Sequence, residues 1–209
     1  MAKRTEGLDE VILGCARKEF LDKGYEEASL RTIAGNASVS TSTIYTRYQD
    51  KEGLFRALIT PAARKILDYM QQSLHEFEQL PAEDQIENRQ TSADRGFSGF
   101  LDILYEYFDE FRLMTTCSTN ELYRYYLEKI VEVDLQCTVN YLKVTDNPAF
   151  KEGRLTEGFI HVVSSAFYSG IFEIAVHNMN RQEAEKYSEE LIRFYRNGWS
   201  TYFQTDLLD

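Results

Sequence analysis

Proline is scarce in this chain, three residues in 209, and no stretch alternates apolar and polar residues for long enough to make a strand. Long helices therefore meet few interruptions, and the fold class read from the sequence is all-α. Cysteine is equally sparse. Cys15, Cys117 and Cys137 are odd in number and far apart, with no CxxC pair and no Cys/His cluster at ligand spacing. That excludes a disulfide framework or zinc ribbon and fits reduced thiols in a cytoplasmic protein. The opening Met-Ala-Lys-Arg-Thr-Glu-Gly has no apolar core and is not a signal peptide. The most apolar stretch, Phe159 to Val176, carries His161, Glu173 and several serines, and reads as a buried helix rather than a bilayer span. No membrane partner is expected. An excess of positive charge is also missing. The formal net charge is −11, all of it beyond residue 60, so electrostatics alone do not point to nucleic acid. A nucleophile elbow, a phosphate-cradling glycine loop and a metal triad are all lacking. Catalytic residues, metal and cofactor are therefore read as none, and the chain as a non-enzyme.

What is present is a chain of ordinary globular composition, 43% hydrophobic and 27% charged, long enough for one large domain or two small ones. Its most informative stretch runs from Ser29 to Lys51. Leu30, Ile33, Ala34 and Ala37 recur at the spacing of one buried helical stripe, with Ser29 placed to cap the first turn. The pattern breaks at Ser38-Val39-Ser40. A second short helix can then start with Ser40 as its cap and Val39 stapled against Ile44. Two short helices joined by a tight turn make a helix-turn-helix. With Ile44 facing the core, a step of about 100° per residue puts Ser42 and Thr46 outside and Thr43, Tyr45 and Gln49 on the flanks. Hydroxyls, an amide and a phenol on a helix of the right width suit phosphates and base edges in a major groove. An ordinary solvated helix carries the same residue types.

Context decides between the two. Upstream lies an amphipathic helix over residues 7–23, with Leu8, Ile12, Ala16 and Phe20 on one stripe and Gly24 as its stop; downstream, Asp50-Lys51-Glu52-Gly53-Leu54-Phe55 opens another helix. Phe20, Gly24, Tyr25, Ser29, Ile33, Ala34, Ala37, Val39, Ser40, Thr43, Ile44, Tyr45, Tyr48, Lys51, Leu54 and Phe55 together resemble the tetracycline-repressor (TetR) family. The turn departs from the family pattern: Ser38 stands where glycine is common, and a glycine lies instead inside the helix, at Gly35. Each feature costs roughly 1 kcal/mol.

The resemblance implies an N-terminal three-helix domain with the helix-turn-helix, residues 1–50, joined to a larger helical regulatory, ligand-binding and dimerisation domain, residues 51–209. It implies double-stranded operator DNA as a partner, met by Arg31, Thr41, Ser42, Thr43, Tyr45, Thr46, Arg47 and Lys51. Thr43, Tyr45 and Lys51 match phosphate-holding positions, and the others match positions that approach bases. Lys3 and Arg4 are a candidate flexible arm, or simply solvated.

In the body, the sequence predicts a long helix from Lys51 to about Leu80, broken or kinked near Pro61, and a polar loop from Gln79 to Asp94. Further helices are expected over residues 97–112, 120–144, 156–178 and 181–205, with a short helix or turn at 113–118. The last helix shows two adjacent apolar stripes, and Ala166 and Gly170 are small enough for a close neighbour. Ala166, Gly170, Leu191, Phe194, Tyr195 and Trp199 therefore form a candidate homodimer interface, the other reading being plain core. The resemblance also implies a small-molecule effector. Candidate pocket walls are Phe97, Phe100, Leu104, Tyr105, Phe108, Met114, Tyr123, Tyr126, Phe159, Val163 and Phe167, suited to a flat or hydrophobic ligand. Glu173 and His177, four apart, can touch, and together with His161 are either a polar anchor or local pairs. The chain thus reads as a DNA-binding regulator, a repressor released by an apolar molecule; the alternative is a regulator whose acidic body binds a protein partner and holds no pocket.

Overall fold

The computed structural model describes residues 2–116 and 121–203, without the side chains of residues 2–6 and 203. Cys117 and the Lys3 and Arg4 side chains lie outside that description. Among the described residues every element is helical: α1 Ala2–Glu27, α2 Leu30–Asn36, α3 Thr41–Tyr48, α4 Lys51–Glu78, α5 Ala82–Glu106, α6 Phe108–Thr116, α7 Glu121–Val144, α8 Pro148–Lys151, α9 Glu157–Val176 and α10 Arg181–Phe203.

These elements make two compact units, and the division falls elsewhere than residue 50. One comprises residues 1–65 and 107–123; the other comprises 66–106 and 124–209. The first takes in the start of α4 and all of α6 because both pack on the helix-turn-helix side. Leu54, Phe55, Leu58 and Ile59 are buried, Phe20 meets Phe55 edge-on with ring centroids 5.2 Å apart, and α6 packs on α1, where Arg17 pairs with the buried Glu110.

Within this first unit, backbone and caps follow the sequence closely. Gly24, at φ +73°, breaks the helical geometry of α1. The Ser29 hydroxyl accepts from the Thr32 amide, and the Ser40 hydroxyl accepts from the Thr43 amide at 3.2 Å. Ser38 takes the left-handed turn position at φ +55°, strained for a residue with a Cβ. Two bonds hold it there: its amide donates to the Gly35 carbonyl, and the Val39 amide donates to the Ala34 carbonyl. Ser40→Ala should cost about 1 kcal/mol, read from urea denaturation of the intact chain.

Two expectations for the body are corrected. α4 runs without a break through Pro61, which sits on an exposed face, where water can take the carbonyl that the missing amide leaves over. Residues 82–94 are helix rather than loop, as the first half of α5. Their apolar stripe is faint because most of that half is exposed. Gln85 is buried for a different reason: its amide nitrogen donates to the carbonyls of Glu78, at 3.3 Å, and Leu80, at 2.8 Å, closing the C-terminus of α4.

The second unit packs its core from Val139, Tyr141, Leu142, Ala149, Leu155 and Ile160, with Phe77, Trp199 and Tyr202 against them. α9 is long and apolar enough to cross a membrane by length and composition alone. Here its residues Ile160, Ser164, Ile171, Phe172, Ile174 and Ala175 are buried inside the protein.

Candidate functional site

The helix-turn-helix is built so that one face of α3 stays open. Ile44 is fully buried, while Ser42, Tyr45 and Thr46 are exposed, with Tyr45 at 53%. Arg31 projects from α2, exposed, and makes no hydrogen bond or ion pair among the described residues. The entry to α4 is tight: a Cβ on Gly53 would come within 1.9 Å of the Tyr48 carbonyl oxygen, so only glycine fits where α3 turns into α4. Asp50 caps the new helix, its Oδ1 accepting from the Gly53 amide at 2.7 Å.

The other sequence-predicted contacts are already engaged within the chain. The Thr43 and Ser42 hydroxyls share hydrogen bonds with Ser40, and the Thr46 hydroxyl donates to the Ser42 carbonyl. Hydroxyls can still accept from or donate to a phosphate while so placed. Arg47 is different. Its Nη1 donates to both carboxylate oxygens of Asp9, at 2.8 and 3.0 Å, and the Tyr48 hydroxyl donates to the same carboxylate at 2.7 Å. Burial, with Asp9 second, raises the Tyr48 phenol well above its ordinary range, so it remains a donor. Arg47 thus fastens α3 to α1 rather than projecting outward. Lys51 is likewise held: its Nζ donates to the carbonyls of Glu26 and Ala28 at 2.9 and 3.4 Å and lies 4.8 Å over the Tyr25 ring. Thr41 is half-buried at the start of α3.

The second unit contains a cavity of about 310 Å³, walled by α4, α5, α7, α9 and α10. Of the predicted walls, Phe97, Phe100, Val163 and Phe167 line it. The rest do not. Leu104 is fully buried core, and Tyr126 is buried. Tyr105 donates to the Met179 carbonyl at 2.8 Å beneath the Arg181 guanidinium. Phe159 is exposed and packs on Tyr202. Phe108, Met114 and Tyr123 belong to the first unit. Their places are taken by Tyr69, Met70, Ser73, Leu74 and Phe77 of α4, by Tyr141, and by Tyr195 and Trp199 of α10.

Two acids lie in this lining, Asp94, which pairs with Arg196 at 2.5 Å, and Asp134. Asp134 accepts a hydrogen bond from the Ser164 hydroxyl at 2.6 Å and another from the Tyr168 hydroxyl at 3.1 Å. Burial raises its carboxyl above the usual range, against the lowering effect of those two bonds. Burial and the neighbouring Asp134 raise Tyr168 as well, and burial pushes the Cys137 thiol up to about 12. Sequence reasoning missed Asp134, although two carboxylates, Glu132 and Asp134, interrupt the apolar run from Ile130 to Leu135 and are a visible signal. It missed Asp9 too, which no spacing rule connects with Arg47.

The candidate interface residues divide. Phe194 is 74% exposed and Ala166 is exposed. Gly170 serves α10 of its own chain: a Cβ there would lie 3.2 Å from Leu191, and its carbonyl accepts from Tyr187. Leu191 is occupied by that contact, and Tyr195 and Trp199 line the cavity. His177 pairs with Glu173 at 3.1 Å and His161 with Glu128 at 3.2 Å, both at the surface. None of these four lines the cavity. Among the described residues, no cluster of three or more His, Cys, Asp or Glu could hold a metal ion.

Residues 12–58 match the model of the family described as bacterial regulatory proteins, tetR family. No curated protein matches the chain. Among solved structures, a protein from Mesorhizobium loti MAFF303099 assigned to the TetR family of transcriptional regulators is 19% identical, over 93% of this chain and 98% of that one, with a TM-score of 0.58. A TetR-like transcriptional regulator from Rhodococcus sp. RHA1 is 16% identical over 92% and 96%, with a TM-score of 0.58. A TerR/AcrR-family transcriptional regulator from Aquifex aeolicus VF5 is 18% identical over 91% and 98%, with a TM-score of 0.56. At these identities the likeness is one of fold. The family match falls on the helix-turn-helix itself, so residues 12–58 are a helix-turn-helix segment like that of the tetR family of bacterial regulatory proteins, and the chain as a whole shares the fold of the solved regulators.

Proposed function

We propose that the protein is a transcriptional repressor that binds a palindromic operator as a homodimer and is released from it by a small molecule held in the body cavity. The observation that carries this reading is the course of α4. The helix begins at Lys51, directly after α3, and runs unbroken to residues Tyr69, Met70, Ser73, Leu74 and Phe77, which wall the cavity. A ligand that reshapes the wall acts on a rigid element continuous with the DNA-binding head. Two recognition helices in a dimer must match major grooves about 34 Å apart, so a small displacement of α4 is enough to lose the match. A cavity of this size falls in the range of small-molecule sites, which favours this reading over a solid acidic body serving a protein partner.

At the DNA, Arg31 and Tyr45 are the residues ready to make new contacts, and Ser42, Thr41, Thr43 and Thr46 supply hydroxyls around them. Arg47 and Lys51 reach DNA only by sharing or leaving the partners they have. Arg31→Ala should cost about 1–3 kcal/mol on the operator through loss of a bidentate guanine contact, and relax preference at one base pair. Fluorescence anisotropy on operator and on scrambled duplex reads this out. An equal loss on both duplexes would remove Arg31 from base recognition. The whole reading is tested by titrating aromatic and lipophilic compounds into an operator complex; compounds that bind in the cavity without changing operator affinity would reject it.

A further inference from the structure

We infer that the cavity is built for a lipophilic cation, whose protonated nitrogen is received by the carboxylate of Asp134 while aromatic rings enclose its apolar part. The inference rests on the cavity being the effector site and adds the chemical class of the ligand. Asp134 lies in the lining itself, and both of its hydrogen bonds come from neutral hydroxyls, Ser164 and Tyr168. No ion pair joins it to a cation among the described residues, whereas Arg196 and Asp94 on the same lining pair with each other at 2.5 Å. A carboxylate withdrawn from water without a counter-charge is costly, and it is relieved by a proton or by a bound cation.

The surroundings select the cation's other properties. Phe97, Phe100, Phe167, Tyr168, Tyr141 and Trp199 contribute to the walls, and ring faces attract a desolvated cation. Two lone-pair sites on each carboxylate oxygen exceed the two bonds Asp134 already accepts, leaving acceptor capacity for an N–H donor. Ser164 and Tyr168 hold the carboxylate in place, so the ligand meets an ordered acceptor.

The experiment compares three probes of one shape, naphthylmethylammonium, naphthylmethanol and naphthoate, by calorimetric titration of the full chain and of Asp134→Asn. Wild type should bind the ammonium about tenfold or more tightly than the alcohol, the margin of a charge-assisted bond over a neutral one. In Asp134→Asn that margin should vanish while the alcohol binds as before. The wild-type comparison stands by itself should the variant misfold. Equal or tighter binding of the alcohol or naphthoate by wild type, or a margin that survives in Asp134→Asn, would overturn the cation assignment and leave the cavity as an effector site. Failure of all three probes to bind would overturn the cavity reading and this inference with it.

Discussion

Phe194→Asp is expected to leave the chain folded, to reduce it to monomers, and to lower operator affinity by about a thousandfold or more, towards the level of non-specific binding. Phe194 is 74% exposed in the isolated chain, so an aspartate there meets water and costs the monomer little. In the proposed dimer the same position lies between two copies of α9 and α10, where an unpaired charge is expensive to bury. A single head reads only half of a palindrome, so specific affinity falls with the dimer. Sedimentation at micromolar concentration and operator titration of the same samples check both halves. A wild type that sediments as a monomer would remove the dimer. Trp199, another aromatic of the candidate interface, is the poorer choice because it lines the cavity and packs on the core.

Val163→Trp should abolish the response to effector while leaving operator binding intact. Val163 is a cavity wall on α9, and an indole there fills the space a ligand would use. Overpacking of this kind costs about 1–3 kcal/mol of stability, a loss to be confirmed by thermal denaturation before function is measured. By linkage, an effector that weakens operator binding must bind the DNA-free form more tightly by the same factor, about 5–150-fold in typical cases. The variant should lose that factor entirely. A variant that is still released by the same compound would place the effector elsewhere.

The head was legible in the sequence because its signals are local. A hydroxyl before each short helix, an apolar stripe of single period and a staple across the turn specify caps and faces without knowledge of the rest of the chain, and Ser29, Ser40 and Ile44 occupy those roles. Asp9 was not legible in that way. Its partners Arg47 and Tyr48 are far along the chain, and an exposed acid on an amphipathic helix looks the same with or without them. The body shows the corresponding limit. An aromatic stripe reports that a face is buried, not whether what it faces is a neighbouring helix or a void. Phe100 and Leu104 lie on one stripe of α5, yet Phe100 meets the cavity and Leu104 is sealed in core. The two stripes of α10 look alike in the sequence, yet Tyr195 and Trp199 line the cavity of their own chain and Phe194 remains outside. The polar first half of α5 looks like a loop in the sequence because a helix exposed on most sides has almost no hydrophobic period to detect.

Selection of duplexes from a random pool by the full-length protein tests sequence-specific recognition by a symmetric pair of helix-turn-helix heads more directly than any single substitution. The expected result is one enriched palindrome whose half-sites are centred about one helical turn apart or a multiple of it, with enrichment at one position in each half-site lost for Arg31→Ala. Recovery of no common sequence, or of a motif without two-fold symmetry that Arg31→Ala enriches equally well, would contradict it.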